Sequence, residues 1–141
     1  MKAANRFVMD ASLAAAWWFE DEKTSYTERT LDFMAQGAEA VVPSPWSFEI
    51  VNALLVAERR KRLTAAQSTV FLDQLENFNI SLDTAPLPRI FGHVLAQARQ
   101  WNLTAYDAAY LEVALRRGLP LATVDETLQK VAKTVGVPTF Q

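Results

Sequence analysis

The chain has 141 residues, half of them hydrophobic and about a fifth charged, which suffices for one domain spanning 1–141 to bury its own core. A formal charge of −2 and a pI near 5.4 argue against a surface that attracts nucleic acid over its whole extent, while leaving room for a local basic patch. Without cysteine there is no disulfide framework, thiolate metal site or cysteine nucleophile; with neither a signal peptide nor a membrane-length apolar run, a cytoplasmic protein is expected.

In chain order, RFVMD (6–10) predicts a first strand and ASLAAAWWF (11–19) a helix after it. Ser25 and Glu28 have the spacing of a capping box that opens a second helix, closed by Gly37. AVVPS (40–44) is a second strand, left through Pro43 and Pro45. A long helix runs from Trp46 to about Arg62, with Ile50, Ala53, Leu54 and Ala57 on one apolar stripe. Thr64 and Gln67 make another capping box, opening TAAQSTVFLDQLENF. NISLD (79–83) is the third strand. Pro88 starts a helix through Trp101, and Thr104 starts another that Gly118 stops. PLATVD (120–125) is the fourth strand, a helix follows to Val135, and VPTF (137–140) supplies a final edge strand. Strands alternating with helices imply parallel pairing, hence an α/β fold: a three-layer α/β/α sandwich around a short, mainly parallel sheet.

Two of these strands end on a carboxylate. Ligands of open parallel sheets gather beyond the carboxyl ends of the strands, so Asp10 and Asp125 are delivered to one rim. The small residues after Asp10 leave the space beside its carboxylate open. Each aspartate alone also reads as a helix cap, Asp10 for the helix from Ala11 and Asp125 for the helix from Glu126. Asp107 has a similar alternative, as Thr104-x-x-Asp107 resembles a capping box. Glu49 stands in the apolar stretch WSFEIVNALLVA, where a buried carboxylate calls for a cation or a polar cleft. Four carboxylates on one rim repel one another unless a cation neutralises them, and an all-oxygen set suits Mg²⁺ or Mn²⁺. A metal held there can activate a water and bear the charge that develops on a phosphodiester.

VMDAS followed by two tryptophans, PSPWSFEIVNALL, and LTAYDAAYLEVALRRGLPLATVDETL together resemble the conserved blocks of PIN-domain proteins, specifically the VapC-like toxins of type II toxin–antitoxin systems. The resemblance runs through essentially the whole chain, and YDAAYLEVA and LATVDETL are its most specific parts. It implies a PIN-like α/β/α nuclease domain and a metal-dependent endoribonuclease, a hydrolase of RNA phosphodiester bonds. The catalytic, metal-holding quartet would be Asp10, Glu49, Asp107 and Asp125, with Mg²⁺ or Mn²⁺ as cofactor. Thr123 matches a hydroxyl or amide residue two positions before the last acid, and Ser12 a small polar residue after the first. Asn52 joins them from helix geometry alone, one turn past Glu49. The implied partners are a cognate antitoxin, whose tail brings an Arg or Lys into the acidic cleft, an RNA substrate, and a second copy in a homodimer. A non-catalytic PIN-fold binding module and an acidic-site metal-dependent phosphatase are the alternatives. The phosphatase pattern wants an aspartate where Ser12 stands.

Other signals carry less. His93 is the only histidine and is read as structural; no G-x-S-x-G elbow, phosphate-cradling P-loop or G-x-G-x-x-G is present. The run Arg59-Arg60-Lys61-Arg62 suits a solvated helix end, with RNA phosphate contact as the lesser reading. Trp46 and Trp101 read as core or interface. Trp17 and Trp18 are helical neighbours pointing about 100° apart, so both cannot enter one core. One of them is expected to meet a dimer mate, an antitoxin or RNA, in a groove formed with the early helices.

Overall fold

The computed structural model describes residues 5–140. Four parallel strands lie in the order β3-β2-β1-β4, flanked by helices: β1 (Arg6–Met9), β2 (Glu39–Pro43), β3 (Ile80–Asp83) and β4 (Leu121–Ala122). Val8 of β1 pairs with Val41 on one side and with Leu121 on the other. Phe7, Val8 and Met9 have no exposed surface, which is why β1 reads as an unbroken apolar run rather than an alternating one. The expected edge strand at 137–140 is reduced to one parallel bridge, Leu121 to Thr139, flanked by two backbone hydrogen bonds.

The helices follow the sequence pattern with local shifts. α1 (Ala11–Ala16) stops three residues short of the expected Phe19. Its exit is tightened by Trp17 and Trp18 N–H groups donating three residues back, to Ala14 and Ala15. That turn resolves the tryptophan pair. Trp17 is core, 5% exposed, its Nε1 donating to Thr27 O and Thr30 Oγ1, both at 3.1 Å. Trp18 is half-buried and stacks on Phe71 with centroids 5.2 Å apart.

The capping box of α2 (Ser25–Ala35) is not Ser25 with Glu28 but lies one residue earlier. Thr24 has the extended backbone of a cap, its Oγ1 accepts from Thr27 N at 3.2 Å, and Thr27 Oγ1 accepts from Thr24 N at 2.9 Å. A threonine thus fills the place of the expected glutamate, because its hydroxyl accepts the same bond. Thr64 and Gln67 cap α4 (Ala65–Glu76) as their spacing predicts.

α3 (Pro45–Arg59) leads away from β2. The helix expected from Pro88 to Trp101 is interrupted: α5 (Leu87–Arg89) passes into a π-helical turn over Ile90–Val94 before α6 (Leu95–Trp101). α7 (Ala105–Arg117) packs against β1 and β2 and is buried continuously from Ala108 to Ala114. It ends at Gly118, whose φ of 65° lets its N–H reach Ala114 O, a conformation that favours glycine. α8 (Glu126–Thr134) follows β4. No helix among the described residues is long and apolar enough to cross a membrane.

Candidate active site

The strand order decides what meets at the carboxyl rim. Central β1 delivers Asp10, neighbouring β4 delivers Thr123 and Asp125, and β2 runs into α3, which carries Glu49. α7, lying on β1 and β2, brings Asp107 and Tyr110 to the same rim.

Asp10 and Asp125 both cap helices, as the local alternative held, and this does not remove them from the rim. Asp10 Oδ1 accepts weakly from Ser12 N at 3.5 Å, while Oδ2 accepts from Ser12 Oγ at 2.8 Å and Thr123 Oγ1 at 2.6 Å. Asp125 Oδ1 accepts from Leu128 N at 2.9 Å. The expected openness around Asp10 is corrected: the residue is 5% exposed, because two hydroxyls close over it where small neighbours leave room. Thr123 ties the two acids together. Its hydroxyl donates to Asp10 and accepts from Asp125 N at 3.0 Å, and Gln129 Nε2 fixes the Thr123 carbonyl at 2.7 Å.

Glu49 is half-buried and receives a 2.6 Å hydrogen bond from the Tyr110 hydroxyl on Oε1. The same hydroxyl accepts from Ala11 N at 3.3 Å, so one buried oxygen spans α7, α3 and the start of α1. Asp107 N donates to Thr104 Oγ1 at 3.1 Å, the capping bond its spacing predicts.

The electrostatics tie the acids into one set. Burial pushes the Glu49 carboxyl above the usual range, with the charges of Asp10 and Asp107 adding to the shift and the Tyr110 bond opposing it. Burial likewise raises Asp107, helped by the charges of Asp10 and Asp125 and opposed by the Thr104 hydrogen bond. Burial, the bond to Glu49 and the surrounding negative charge keep the Tyr110 phenol protonated well beyond its ordinary range. Among the described residues, no three of these acids are drawn in closely enough to ring one ion. Carboxylates that share a rim repel one another, and a bound cation would relieve that repulsion. The donors are oxygen throughout, hard ligands that fit Mg²⁺ or Mn²⁺ rather than zinc or copper.

Asn52 stands apart. It is exposed and its side chain makes no hydrogen bond to the acids, but it lines a cleft of about 640 Å³ with Glu49, Ser44, Pro45, Phe48 and Tyr106. Tyr110 is the site residue that sequence reasoning missed. Its signal was available, since Asp107 and Tyr110 are three apart on one helix and so share a face. His93 is exposed within the π-helical turn.

Residues 7–134 match the PIN domain family. The chain is 28% identical over 123 residues to Ribonuclease VapC3 of Pyrobaculum aerophilum, an alignment covering 87% of this chain and 92% of that protein. The crystal structure of PAE2754 from the same organism superposes with a TM-score of 0.71 at 27% identity, covering 95% of this chain and 83% of that one. VapBC2 from Rickettsia felis, solved bound to a DNA fragment from their promoter, gives a TM-score of 0.66 at 12% identity, with 96% and 97% covered; that likeness is one of fold.

Proposed function

Since the chain belongs to the PIN domain family, we propose that it is a metal-dependent endoribonuclease, the toxin of a toxin–antitoxin pair, with 1–141 as one nuclease domain. One observation carries the reading: Asp10, Glu49, Asp107 and Asp125 reach one rim from four places in the chain and bear on one another electrostatically. A fold that only needed caps would have no reason to gather a buried Asp10, half-buried Glu49 and Asp107 and an exposed Asp125 on one rim, because charge that is buried without compensation is costly.

In this reading Asp10, Glu49, Asp107 and Asp125 hold Mg²⁺ or Mn²⁺, which when bound supplies positive charge against the phosphodiester and activates water for in-line attack. Asp10 is the anchor. It is fixed by the central strand below and by two hydroxyls above, so its oxygens need no reorganisation when substrate arrives. Thr123 and Ser12 orient Asp10, and Tyr110 orients Glu49. Asn52 acts on the substrate side of the cleft rather than on the ion.

The same acidity suits an antitoxin tail carrying Arg or Lys, since a guanidinium binds a carboxylate in bidentate fashion and competes with the metal. The rest of the antitoxin would lie along the small groove where Trp18 and the edge of Trp17 meet Leu31, Phe71, Leu75 and Phe78. A homodimer, with RNA as substrate, completes the assembly we propose.

Purified protein should cleave RNA with Mg²⁺ or Mn²⁺ and stop in EDTA. Hydrolysis by an activated water leaves 5′-phosphate and 3′-hydroxyl ends. Cyclic phosphate ends, or full activity in EDTA, would overturn the mechanism.

A further inference from the structure

Phe48 and Tyr106 are among the most exposed large hydrophobic side chains of the described residues, at 79% and 60%. Each immediately precedes a rim acid in sequence, Glu49 in one case and Asp107 in the other. They stand on different helices, α3 and α7, yet line the same 640 Å³ cleft, together with Glu49 and Asn52. The Asn52 amide is exposed, and no other side chain among the described residues engages it.

The composition of this cleft discriminates between occupants. A face made for another protein surface is depleted of charge at its centre. Here two aromatic rings share one cleft with a carboxylate of the rim and an uncommitted amide. Aromatic faces stack on any base, and an amide presents both a donor and an acceptor to a base edge. The cleft shares Glu49 with the acidic rim, and Tyr106 adjoins Asp107 in sequence, so a strand whose phosphate lies at the rim has its adjoining base close to these rings. The volume falls within the ordinary range of small-molecule sites. Stacking requires bases that are splayed out, which a duplex does not offer.

We infer that Phe48, Tyr106 and Asn52 form a base-binding subsite next to the acidic rim. Phe48 and Tyr106 stack on bases beside the scissile phosphate, and Asn52 biases which base is accepted. The inference rests on the nuclease reading for its substrate, but its test does not depend on cleavage.

The experiment uses full-length protein and a short single-stranded RNA carrying 2-aminopurine, whose fluorescence falls when it stacks. Binding should quench the probe. Phe48→Ala and Tyr106→Ala should each relieve the quench and weaken binding about tenfold, while Phe48→Trp retains both. In cleavage assays the alanine variants should raise KM more than they lower kcat, and Asn52→Ala should alter preference among single-stranded sequences. A duplex of the same sequence should bind more weakly than the single strand. Quenching by wild-type protein without any metal-dependent cleavage would sink the nuclease reading and leave the subsite standing. Metal-dependent cleavage with unchanged KM and quench in both alanine variants would overturn the subsite. So would a shift in oligomeric state as the only effect of those variants, because the rings would then belong to a contact between copies. Both side chains are largely exposed, so circular dichroism should report an unchanged fold.

Discussion

One hydroxyl organises much of the site. Tyr110 is fully buried, and its oxygen both donates to Glu49 and accepts from Ala11 N, the first residue of the helix that Asp10 caps. Replacing it by phenylalanine preserves the ring and its packing while removing both bonds. Glu49 is then left half-buried with no donor holding it, beside the negative charges that already raise its pKa. Tyr110→Phe should therefore lower kcat about 10- to 100-fold, the range for partners that orient metal ligands, and cost about 1 kcal/mol of stability or somewhat more. Steady-state kinetics beside denaturant unfolding separates the two effects. An unchanged kcat would show that Glu49 needs no orientation. Thr123 poses the parallel case for Asp10. Thr123→Ser keeps the hydroxyl that joins Asp10 to the Asp125 backbone and should retain most activity, whereas Thr123→Val removes it and should not. Equal activity in both variants would exclude a role for that hydroxyl.

Between elements, a buried ion-pair network lies apart from the four rim acids. Asp83 at the end of β3 and Glu112 in α7 are both nearly inaccessible. Arg116 bridges them, Arg117 Nε holds Asp83 at 2.8 Å, and Arg89 from α5 holds Glu112 at 2.8 Å. Burial works against both carboxylates, but the arginine bonds outweigh it and leave both pKa values lowered. A lowered folded pKa means that the stabilisation is fully present above the unfolded carboxylate range, near pH 4, and is lost as pH falls through the folded values. Acid unfolding should therefore steepen below about pH 4. Arg116→Met should cost about 3 kcal/mol or more, since it uncovers buried charge that Arg89 and Arg117 only partly neutralise. Because α7 carries Asp107 and Tyr110, the same variant should also reduce activity; urea unfolding of wild type and variant across pH provides the check. An opposite effect is expected on α4, where Ser68 Oγ is buried without a hydrogen-bond partner among the described residues. Ser68→Ala should be neutral or stabilising by about 1 kcal/mol, which thermal unfolding can read. None of these connections was legible in the sequence. Arg116 and Arg117 read as an ordinary basic helix end, and nothing local points from them to Asp83, more than thirty residues earlier. The shift of the α2 cap from Ser25 to Thr24 has a similar origin, since adjacent hydroxyl residues compete for one role and backbone geometry chooses between them.

For the molecule as a whole, what could be read was what periodicity and strand ends encode. Alternating apolar strands and helices gave the parallel α/β fold, and runs ending in Asp10 and Asp125 pointed to one rim, because every strand of this sheet runs the same way. Side-chain direction over long separations was not encoded locally. Hence Tyr110 was missed, Asp10 was expected to be more open than it is, and the fates of Trp17 and Trp18 became clear only once the end of α1 was placed. The central proposal, that four dispersed carboxylates make one cation site, can be tested without knowing the RNA. Calorimetric titration of the purified protein with Mn²⁺ should show one or two ions bound, with Asp10→Asn weakening the binding at least about tenfold while circular dichroism stays unchanged, as loss of a central charged ligand requires. Equal Mn²⁺ binding by wild type and Asp10→Asn, or none by the wild type, would contradict the assignment of this rim as the metal site.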